Sequence, residues 1–405
     1  MPFELLAFEY HPRTRLVFGN GSIERIGEFS RELSARKVLI VTDQGIVAAG
    51  HLDRVHRLLE AAHIQTVIFD RVKENPTTLD VNACFEFSKA KEIDTIVGLG
   101  GGSSMDVAKG CNFLLTNGGC MMDYWGKGKA TKPMLPLIAV PTTAGTGSEC
   151  QSFALIADET THQKMACGDP KAAACVAILD PGLTLSQPKR VTACTGIDAI
   201  AHAVETAVTR NRTKLSLLFA REAFKLAVES FPKVLEAPSD VSARGEMQLA
   251  AAFAGTAIEN SMLGAAHSAA NPLTARYGII HGQAVGLMLP HVVRWNGRDT
   301  GAREGYAELA ANAGLVRKDD DPSQALEALV ARLEHFLNLA EMPRSLDACG
   351  VRRSDIQTMA QEAAKQWTAQ FNPSEINVSN FEQLYQDAFN FRGDGDCGEA
   401  LRQGH

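Results

Sequence analysis

The stretch Gly98-Leu-Gly-Gly-Gly-Ser-Ser-Met-Asp106 decides the fold of the first half of the chain. It follows the apolar run Thr95–Leu99 and leads into Val107-Ala-Lys109, so it predicts a strand, a glycine turn and a helix start. Such a turn exposes backbone N–H groups at the positive end of a helix, where a pyrophosphate can approach because glycine has no side chain. The stretch matches neither G-x-G-x-x-G nor the G-K-[ST] of a P-loop, so a tight structural turn remains the alternative.

Short β-rich runs alternate with helical stretches on both sides of this turn, as far as Asp180. The runs are KVLIVTD at Lys37–Asp43, TVIF at Thr66–Phe69, TIVGL at Thr95–Leu99 and PLIAV at Pro136–Val140. This alternation indicates βαβ units and a mostly parallel sheet that is covered on both faces. The first half of the chain is therefore predicted to be an α/β domain.

A second polar turn follows the last of these strands, as Pro141-Thr-Thr-Ala-Gly-Thr-Gly-Ser-Glu149. Because the carboxyl ends of parallel strands meet at one edge of a sheet, this turn should lie beside the first one. Its hydroxyl and backbone N–H groups suit the same phosphate-bearing ligand. Two such loops favour a dinucleotide or nucleotide site over a purely structural turn.

Asp43 ends the strand KVLIVTD, where a carboxylate can accept hydrogen bonds from an adenosine ribose. The same charge would repel a 2′-phosphate, which favours NAD over NADP as the cofactor. The alternative is that Asp43 caps a turn or a helix.

After Asp180-Pro181 the pattern changes to long helical periods with almost no strand candidates, for example Lys214–Glu236, Arg244–Asn260 and Gln324–Ala340. A chain of 405 residues suits two domains, each large enough for its own core. We therefore predict an α/β dinucleotide-binding domain over residues 1–183 and an all-α domain over residues 184–405. Three local signals predict helix starts in the second domain: the capping boxes Ser354-x-x-Gln357 and Ser379-x-x-Glu382, and the capped start Asp321-Pro322.

Composition narrows the class of protein. A net charge of -7 and a pI near 5.9 provide no basic surface for a nucleic acid or an anionic membrane. No run approaches the ~18 apolar residues of a membrane span, and the opening MPFELLAFEYHP lacks a signal-peptide pattern. The nine cysteines are scattered, without a C-x-x-C pair, which is typical of small buried side chains in a reducing compartment. We expect a cytoplasmic protein with a small-molecule substrate.

Asp198 and His202 lie four residues apart in the stretch Gly196–Glu205, so on a helix they share one face. The residues between and beside them are apolar, which predicts a buried helix, and a buried carboxylate and imidazole need a compensating partner. A metal ion would be such a partner. The alternative is a hydrogen bond between the two side chains inside a core.

Two further histidines, His267 and His281, stand next to glycine and small apolar residues, where an unpartnered imidazole would be costly. Together with Asp198 and His202 they complete a tetrahedral or open five-coordinate nitrogen and oxygen site for Fe(II) or Zn(II), without a thiolate. We expect the other two candidates, His291 and His162, to be structural or solvent-facing.

The assembled motifs resemble those of the iron-containing, or group III metal-dependent, alcohol dehydrogenases. The resemblance spans nearly the whole chain and is carried by Phe18-Gly-Asn-Gly21, Asn75-Pro-Thr77, GGGSSMD, PTTAGTGSE, Asp180-Pro181, Asp198-x-x-x-His202, His267 with His281, and Phe371-Asn-Pro373. It implies the fold shared with dehydroquinate synthase, with NAD(P) and a metal ion meeting between the two domains. It implies as metal ligands Asp198, His202, His267 and His281. It implies cofactor contacts from Asp43, Asn75, Gly101, Gly102, Ser103, Thr142, Thr143, Thr146, Ser148 and Lys164.

The resemblance further implies an NAD-dependent enzyme, a homodimer or larger homo-oligomer, that interconverts a small primary alcohol and its aldehyde. The ion would polarise the substrate oxygen while hydride passes between carbon and the nicotinamide. One departure is Asn271, four residues after His267, where many relatives carry a second histidine. That exchange puts a proton-relay role at this position in doubt and leaves the ligand set untouched.

Two other functions remain open. A lyase of the dehydroquinate-synthase type would use the same cofactor and metal, but its site should be rich in Lys and Arg, whereas Arg276 and Arg210 are the only cations near the ligands in sequence. A non-enzymatic nucleotide-binding module would need a closed coordination shell around a structural metal.

Overall fold

The computed structural model describes residues 6–161 and 163–390. Its N-terminal part contains a six-stranded, all-parallel sheet in the order β1-β9-β6-β4-β2-β3. The strands are β1 Arg15–Phe18, β2 Lys37–Val41, β3 Gln65–Phe69, β4 Thr95–Gly100, β6 Leu137–Pro141 and β9 Val176–Leu179. A separate three-stranded sheet, in the order β5-β8-β7, consists of β5 Gly126–Lys127, β7 Phe153–Ala157 and β8 Lys164–Gly168.

The large sheet is buried on both faces, as its continuous apolar runs predict. In β2, Leu39 and Val41 point into one core cluster while Val38 and Ile40 point into another on the opposite face. All residues of β4 are buried. The covering helices are α1 Ile26–Glu32, α2 Gln44–Ala48, α3 His51–Ala61, α4 Thr78–Ser88 and α5 Gly102–Asn117.

The C-terminal part of the described chain is helical and packs around one large core. Its helices are α6 Lys189–Thr206, α7 Lys214–Glu236, α8 Val241–Ser261, α9 Ala265–Tyr277, α10 His281–Asn296, α11 Thr300–Asn312, α12 Pro322–Leu339, α13 Ile356–Ala364 and α14 Val378–Asn390. None of the helices within residues 6–161 and 163–390 is both long and apolar enough to span a membrane.

The predicted fold class is confirmed: the strand runs at 37–43, 66–69, 95–99 and 136–140 correspond to β2, β3, β4 and β6, and the three long helical patterns correspond to α7, α8 and α12. The change from sheet to helices occurs between β9 and α6. The exact boundary after residue 183 stays a prediction, and residues 391–405 of the predicted second domain lie outside the described residues.

Two of the three predicted helix starts are wrong. Asp321 caps α12 as expected, accepting hydrogen bonds from the backbone N–H groups of Ser323 and Gln324. Ser354 instead lies in a short 3₁₀ turn before α13 and donates to Asp355. Ser379 lies inside α14, whose first turn is capped by the Asn377 side chain. Each predicted box therefore places a serine one or two residues from the true cap.

The helical domain docks onto the sheet through the turn Pro141–Glu149. Gly147 (φ +60°) lies directly against Gly255 of α8, where a Cβ on either residue would come within 2.5 Å of the other's backbone or that of Ala251. Gln248 of α8 donates to the Pro141 carbonyl oxygen at 3.1 Å. This contact places the second polar turn between the parallel sheet and the helices.

Candidate metal centre and cofactor cleft

One cavity of about 1430 Å³ lies between the sheet edge and the helices. All residues predicted to bind the cofactor or the metal ion line this cavity: Asp43, Asn75, Gly101, Gly102, Ser103, Thr142, Thr143, Thr146, Ser148, Lys164, Asp198, His202, His267 and His281. Positions drawn from both halves of the sequence are therefore brought together in one place.

The two polar turns interlock at the cofactor end. Gly101 precedes α5 and Gly102 begins it, and a Cβ on Gly102 would lie 2.7 Å from Cγ2 of Thr146. Gly100 has φ +144°, a backbone conformation that residues other than glycine rarely adopt. The first turn therefore needs its glycines, and it presents the N-terminal N–H groups of a long helix to the cavity, as a pyrophosphate site requires.

Asp43 caps a helix, and its side chain also lines the cavity. Its Oδ1 atom caps α2, accepting from the backbone N–H groups of Gly45 at 2.8 Å and Ile46 at 3.1 Å. The half-buried side chain also lines the cavity. The capping interpretation is therefore correct for one oxygen, and the carboxylate charge still faces the cleft.

Beneath the cofactor end lies a buried charged network that the sequence reasoning missed. The ammonium of Lys109, which is fully buried, donates to Ser148 Oγ at 2.9 Å and to the carbonyl oxygens of Ser148 and Phe153. Ser148 Oγ in turn donates to Asp106 at 3.1 Å. The hydroxyl of Ser148, a predicted cofactor contact, is thus engaged inside the protein. The only available signal was the spacing of Asp106 and Lys109, three apart on α5.

Burial perturbs the acid groups of this network. Desolvation raises the pKa of Asp106 to about 6, although Lys109 and Lys164 oppose the shift. Desolvation likewise raises the pKa of Glu149 to about 7. Burial lowers the pKa of Lys164, at the start of β8, while the charges of Asp106 and Asp198 oppose that shift. Lys164 therefore interacts with a carboxylate at each end of the cavity, Asp106 at the cofactor end and Asp198 at the metal end.

At the metal end, three helices bring four side chains together. Asp198 and His202 lie one turn apart on α6, His267 lies in the first turn of α9, and His281 is the first residue of α10. Ligand atoms of Asp198, His267 and His281 all lie within 4.8 Å of one another. The His202 ring stacks on the His267 ring, with centroids 4.7 Å apart.

The distances within this cluster suit a shared ion better than hydrogen bonds. The Nε2 atoms of His202, His267 and His281 lie 3.5, 3.5 and 3.9 Å from Asp198 Oδ1. Hydrogen bonds of this kind are about 2.7–3.2 Å long, whereas two ligands about 2.1 Å from one tetrahedral ion lie about 3.4 Å apart. The alternative, an Asp198–His202 hydrogen bond, does not match the observed separation.

Several polar atoms of the cluster are buried without a hydrogen-bond partner among the described residues. They are Asp198 Oδ1, His267 Nε2, His202 Nδ1 and His281 Nδ1. Leaving a polar atom buried and unpaired costs about 1–3 kcal/mol each, and an ion held by the Nε2 atoms would satisfy Asp198 Oδ1 and His267 Nε2 but neither Nδ1 atom. Asp198 Oδ1 and His267 Nε2 lie 3.5 Å apart, so one cation could be bound by both atoms.

The pKa values of the four side chains in the cluster are shifted in different directions. Burial opposes the charged form of Asp198, but the three imidazoles hold its pKa below the usual value. Burial lowers the pKa of His202 to about 4 and that of His281 well below its usual value. For His267, burial is outweighed by the charges of Glu205 and Asp198, which raise its pKa to about 9.

Glu205 is a further site residue that the sequence reasoning missed. It is 3% exposed, and its Oε2 atom lies 2.5 Å from His267 Nδ1. It lies three residues after His202 on α6, so its spacing from Asp198 and His202 was a signal that it shares their helix face.

Asn271 lines the cavity one turn after His267, and its side-chain amide donates to Gln366 Oε1 at 3.0 Å. His291 is buried inside α10, away from the cavity lining, as expected. His162 lies outside the described residues. The prediction that Arg276 and Arg210 are the only nearby cations is wrong, since Lys164, Arg190 and Lys365 also line the cavity and Arg210 does not.

Comparisons with known proteins identify the family of the chain. Residues 12–181 match the family model "iron-containing alcohol dehydrogenase", and residues 192–389 match its C-terminal family model. The NAD-dependent methanol dehydrogenase of Bacillus methanolicus is 32% identical over 92% of this chain and 97% of its own. An alcohol dehydrogenase from Oenococcus oeni superposes with a TM-score of 0.91 at 30% identity, over 95% of this chain and all of the other. A sulfoacetaldehyde reductase from Bifidobacterium kashiwanohense, solved with NAD⁺, superposes with a TM-score of 0.85 at 27% identity, over 96% and 100%. The chain belongs to the iron-containing alcohol dehydrogenase family.

Proposed function

We propose that this protein transfers hydride between NAD(H) and a small primary alcohol or its aldehyde, at a divalent metal ion held by Asp198, His202, His267 and His281. The observation that carries the proposal is the ring of three imidazole Nε2 atoms, 3.5 to 3.9 Å from one carboxylate oxygen, facing the cavity that the two glycine turns also line. Fe(II) is the favoured ion from the family, and Zn(II) suits the same donors.

When bound, the ion supplies a Lewis acid for the substrate oxygen. The protein's own contribution is placement. The α5 N-terminus and the Thr142–Thr146 segment hold the pyrophosphate, while Asp43 faces the adenosine ribose and favours NAD over NADP. Lys164, which lines the cavity and feels the charges of both Asp106 and Asp198, would contact the nicotinamide half of the cofactor. Asn75 and Ser103 complete the predicted cofactor contacts, and both line the cavity.

The substrate is a small molecule because the cavity must hold the cofactor as well. The family relatives act on different alcohols and aldehydes, so family membership alone does not choose among them. The cavity wall includes Asn271 and Gln366, which are hydrogen-bonded to each other, and the apolar side chains of Ile258 and Leu263. This wall suits a short aliphatic chain with room for one polar group.

The proposal is tested by incubating the purified protein with NAD, one divalent metal at a time and a panel of primary alcohols, with the reverse reaction followed on the matching aldehydes and NADH. We expect NADH absorbance to rise with at least one alcohol, and only with metal present. If neither direction changes the absorbance while metal content and NAD binding are verified, the protein is not an alcohol dehydrogenase.

Three further properties belong to this proposal. We expect a homodimer or larger assembly, because β1 is an edge strand of the sheet with Leu16 and Phe18 exposed at 38% and 47%.

A cytoplasmic location is supported by the eight described cysteines, which are all free. The domain boundary after residue 183 falls between the two family matches, which end at 181 and begin at 192.

A lyase of the dehydroquinate-synthase type is the weaker alternative. The cavity contains more cations than the sequence suggested, but Arg276 is paired with Glu362 at its exposed rim. The whole-chain family match favours the dehydrogenase. In the same alcohol panel, a lyase would leave no net NADH.

A further inference from the structure

The helix that carries His267 begins without a cap of its own. The residue before α9 is Gly264, which has no side chain to accept the first backbone N–H groups. Two residues from distant parts of the chain supply the acceptors: Asn372 Oδ1 accepts from Ala265 N at 3.2 Å, and Glu205 Oε1 accepts from Ala266 N at 2.7 Å. The start of α9 is therefore held entirely by tertiary contacts.

Gly264 makes this double contact possible. A Cβ at this position would lie 3.0 Å from Asn372 Oδ1 and 3.1 Å from Glu205 Oε1, tighter than ordinary van der Waals contact. The glycine thus leaves room for both acceptor oxygens to approach the first turn of α9.

The second oxygen of Glu205 contacts the side chain of the next residue. While Oε1 binds the Ala266 N–H group, Oε2 lies 2.5 Å from His267 Nδ1. One carboxylate therefore holds both the backbone and the imidazole of α9's first turn. Glu205 is almost fully buried, so its orientation is constrained by the packing around it.

We infer that Glu205 is a positioning residue of the metal centre, acting through His267; the inference rests on the proposed role of His267 as a ligand. By accepting a hydrogen bond from the Nδ1–H group, Glu205 selects the imidazole tautomer whose lone pair is on Nε2, the atom that lies 3.5 Å from Asp198 Oδ1. Because Asp198, His202 and Glu205 share one face of α6, the helix that provides two ligands also orients a third.

Asn372 supports the same arrangement from the other side. Its side-chain amide donates to Asn296 Oδ1 at 2.7 Å and to the Ser374 carbonyl oxygen at 3.0 Å. Asn296 is the last residue of α10, the helix that begins with His281. The motif Phe371-Asn-Pro373 thereby ties the start of α9 to the helix that carries the fourth ligand.

The test measures metal affinity rather than turnover. Metal-free wild type and Glu205→Gln are titrated with Zn(II) and Co(II) in competition with a chromophoric chelator. A carboxamide has one acceptor oxygen, so if that oxygen keeps the Ala266 N–H group, its NH2 group faces Nδ1 and favours the tautomer with the proton on Nε2, which blocks that ligand atom. We expect the dissociation constant to rise by ~10–100-fold, with altered Co(II) d–d absorption.

Thr209→Val is the matched control. It removes a buried hydroxyl hydrogen bond one turn after Glu205, from Thr209 Oγ1 to the Ser261 carbonyl oxygen, without touching α9 or a proposed ligand. We expect its metal dissociation constant to stay within about twofold of wild type. Glu205→Asp, which keeps the charge but is one methylene too short to reach both partners, carries the same test if Glu205→Gln does not fold.

The inference is overturned if the folded Glu205 variant binds metal as tightly as wild type, or loses no more affinity than Thr209→Val. Failure of the proposed function has a different signature, because wild type itself would then bind no divalent metal or would not oxidise any alcohol.

Discussion

The two ends of the cavity both bury carboxyl groups, but the pKa of the buried carboxyl is lowered at one end and raised at the other. At the metal end, three imidazoles keep the pKa of Asp198 below its usual value despite burial. At the cofactor end, burial dominates and raises the pKa of Asp106 to about 6 and that of Glu149 to about 7. The first end stabilises a buried negative charge, as a cation site requires, whereas the second makes buried negative charge costly near the loops proposed to hold a pyrophosphate.

The two ends also differ in which groups they offer to a ligand. The metal end concentrates side-chain atoms without hydrogen-bond partners among the described residues, and each lies on a helix. The cofactor end presents backbone N–H groups from turns, and its buried ammonium group, that of Lys109, is already hydrogen-bonded. Side-chain chemistry therefore defines one end, and backbone conformation defines the other.

The largest expected effect is the loss of activity on metal removal. Chelation should lower kcat by at least ~1000-fold, since Lewis-acid stabilisation is worth several kcal/mol, and adding Fe(II), Zn(II), Co(II) or Mn(II) should restore activity. NADH binding, followed by fluorescence, should survive in the stripped protein because the cofactor end is separate. Full turnover at verified absence of metal would contradict the proposed role of the four ligands.

The second effect concerns stability and pH. The pKa of Glu149 is raised in the folded protein, so its stabilising contribution is present below its ordinary pKa of 4.5 and is lost as pH rises through about 7. Glu149→Gln should therefore gain stability relative to wild type with rising pH, by up to about 3 kcal/mol between pH 4.5 and pH 8.5.

Urea unfolding of the metal-free protein at several pH values measures this difference, with exposed Glu229→Gln as the control. A wild-type-to-variant difference that does not change with pH would show that Glu149 is charged and paired, which would remove the contrast between the two ends.

The third prediction concerns the role of the Asp43 charge at the cofactor end. Asp43→Asn keeps an acceptor oxygen for the α2 cap but removes the charge, whereas Asp43→Gly removes both. Both variants should shift the ratio of kcat/KM for NADP over NAD upward by ~10–100-fold, because repulsion of the 2′-phosphate is lost. An unchanged ratio in both variants would mean that Asp43 is only the helix cap seen at Gly45 and Ile46.

The smallest expected effect lies at Asn271, beside the metal end. Asn271→Ala loses one neutral hydrogen bond, to Gln366, and should mainly raise KM by ~1 kcal/mol, about fivefold, with the pH dependence of kcat intact. Asn271→His should add a titration near pH 6–7, the range of an unperturbed imidazole. A ~1000-fold fall in kcat for Asn271→Ala, with normal metal content and loss of a pH limb, would place Asn271 in the proton path.

The sequence by itself determined the residue types that decide the chemistry. Apolar β-rich runs predicted β2, β3, β4 and β6, since a strand buried on both faces needs such residues at every position. Asp198, His202, His267 and His281 stood out because polar side chains in apolar surroundings need a partner. Those inferences depend on side-chain identity over a few neighbouring residues, which the sequence displays directly.

Only the tertiary structure decided the contacts between distant segments. Glu205 reaches His267 across 62 residues, and Asn372 reaches Ala265 across 107. The starts of α13 and α14 likewise differ from the predicted capping boxes. Local propensity does not determine these features, because the contacts join segments that are far apart in sequence and form only when the helices pack around a common core.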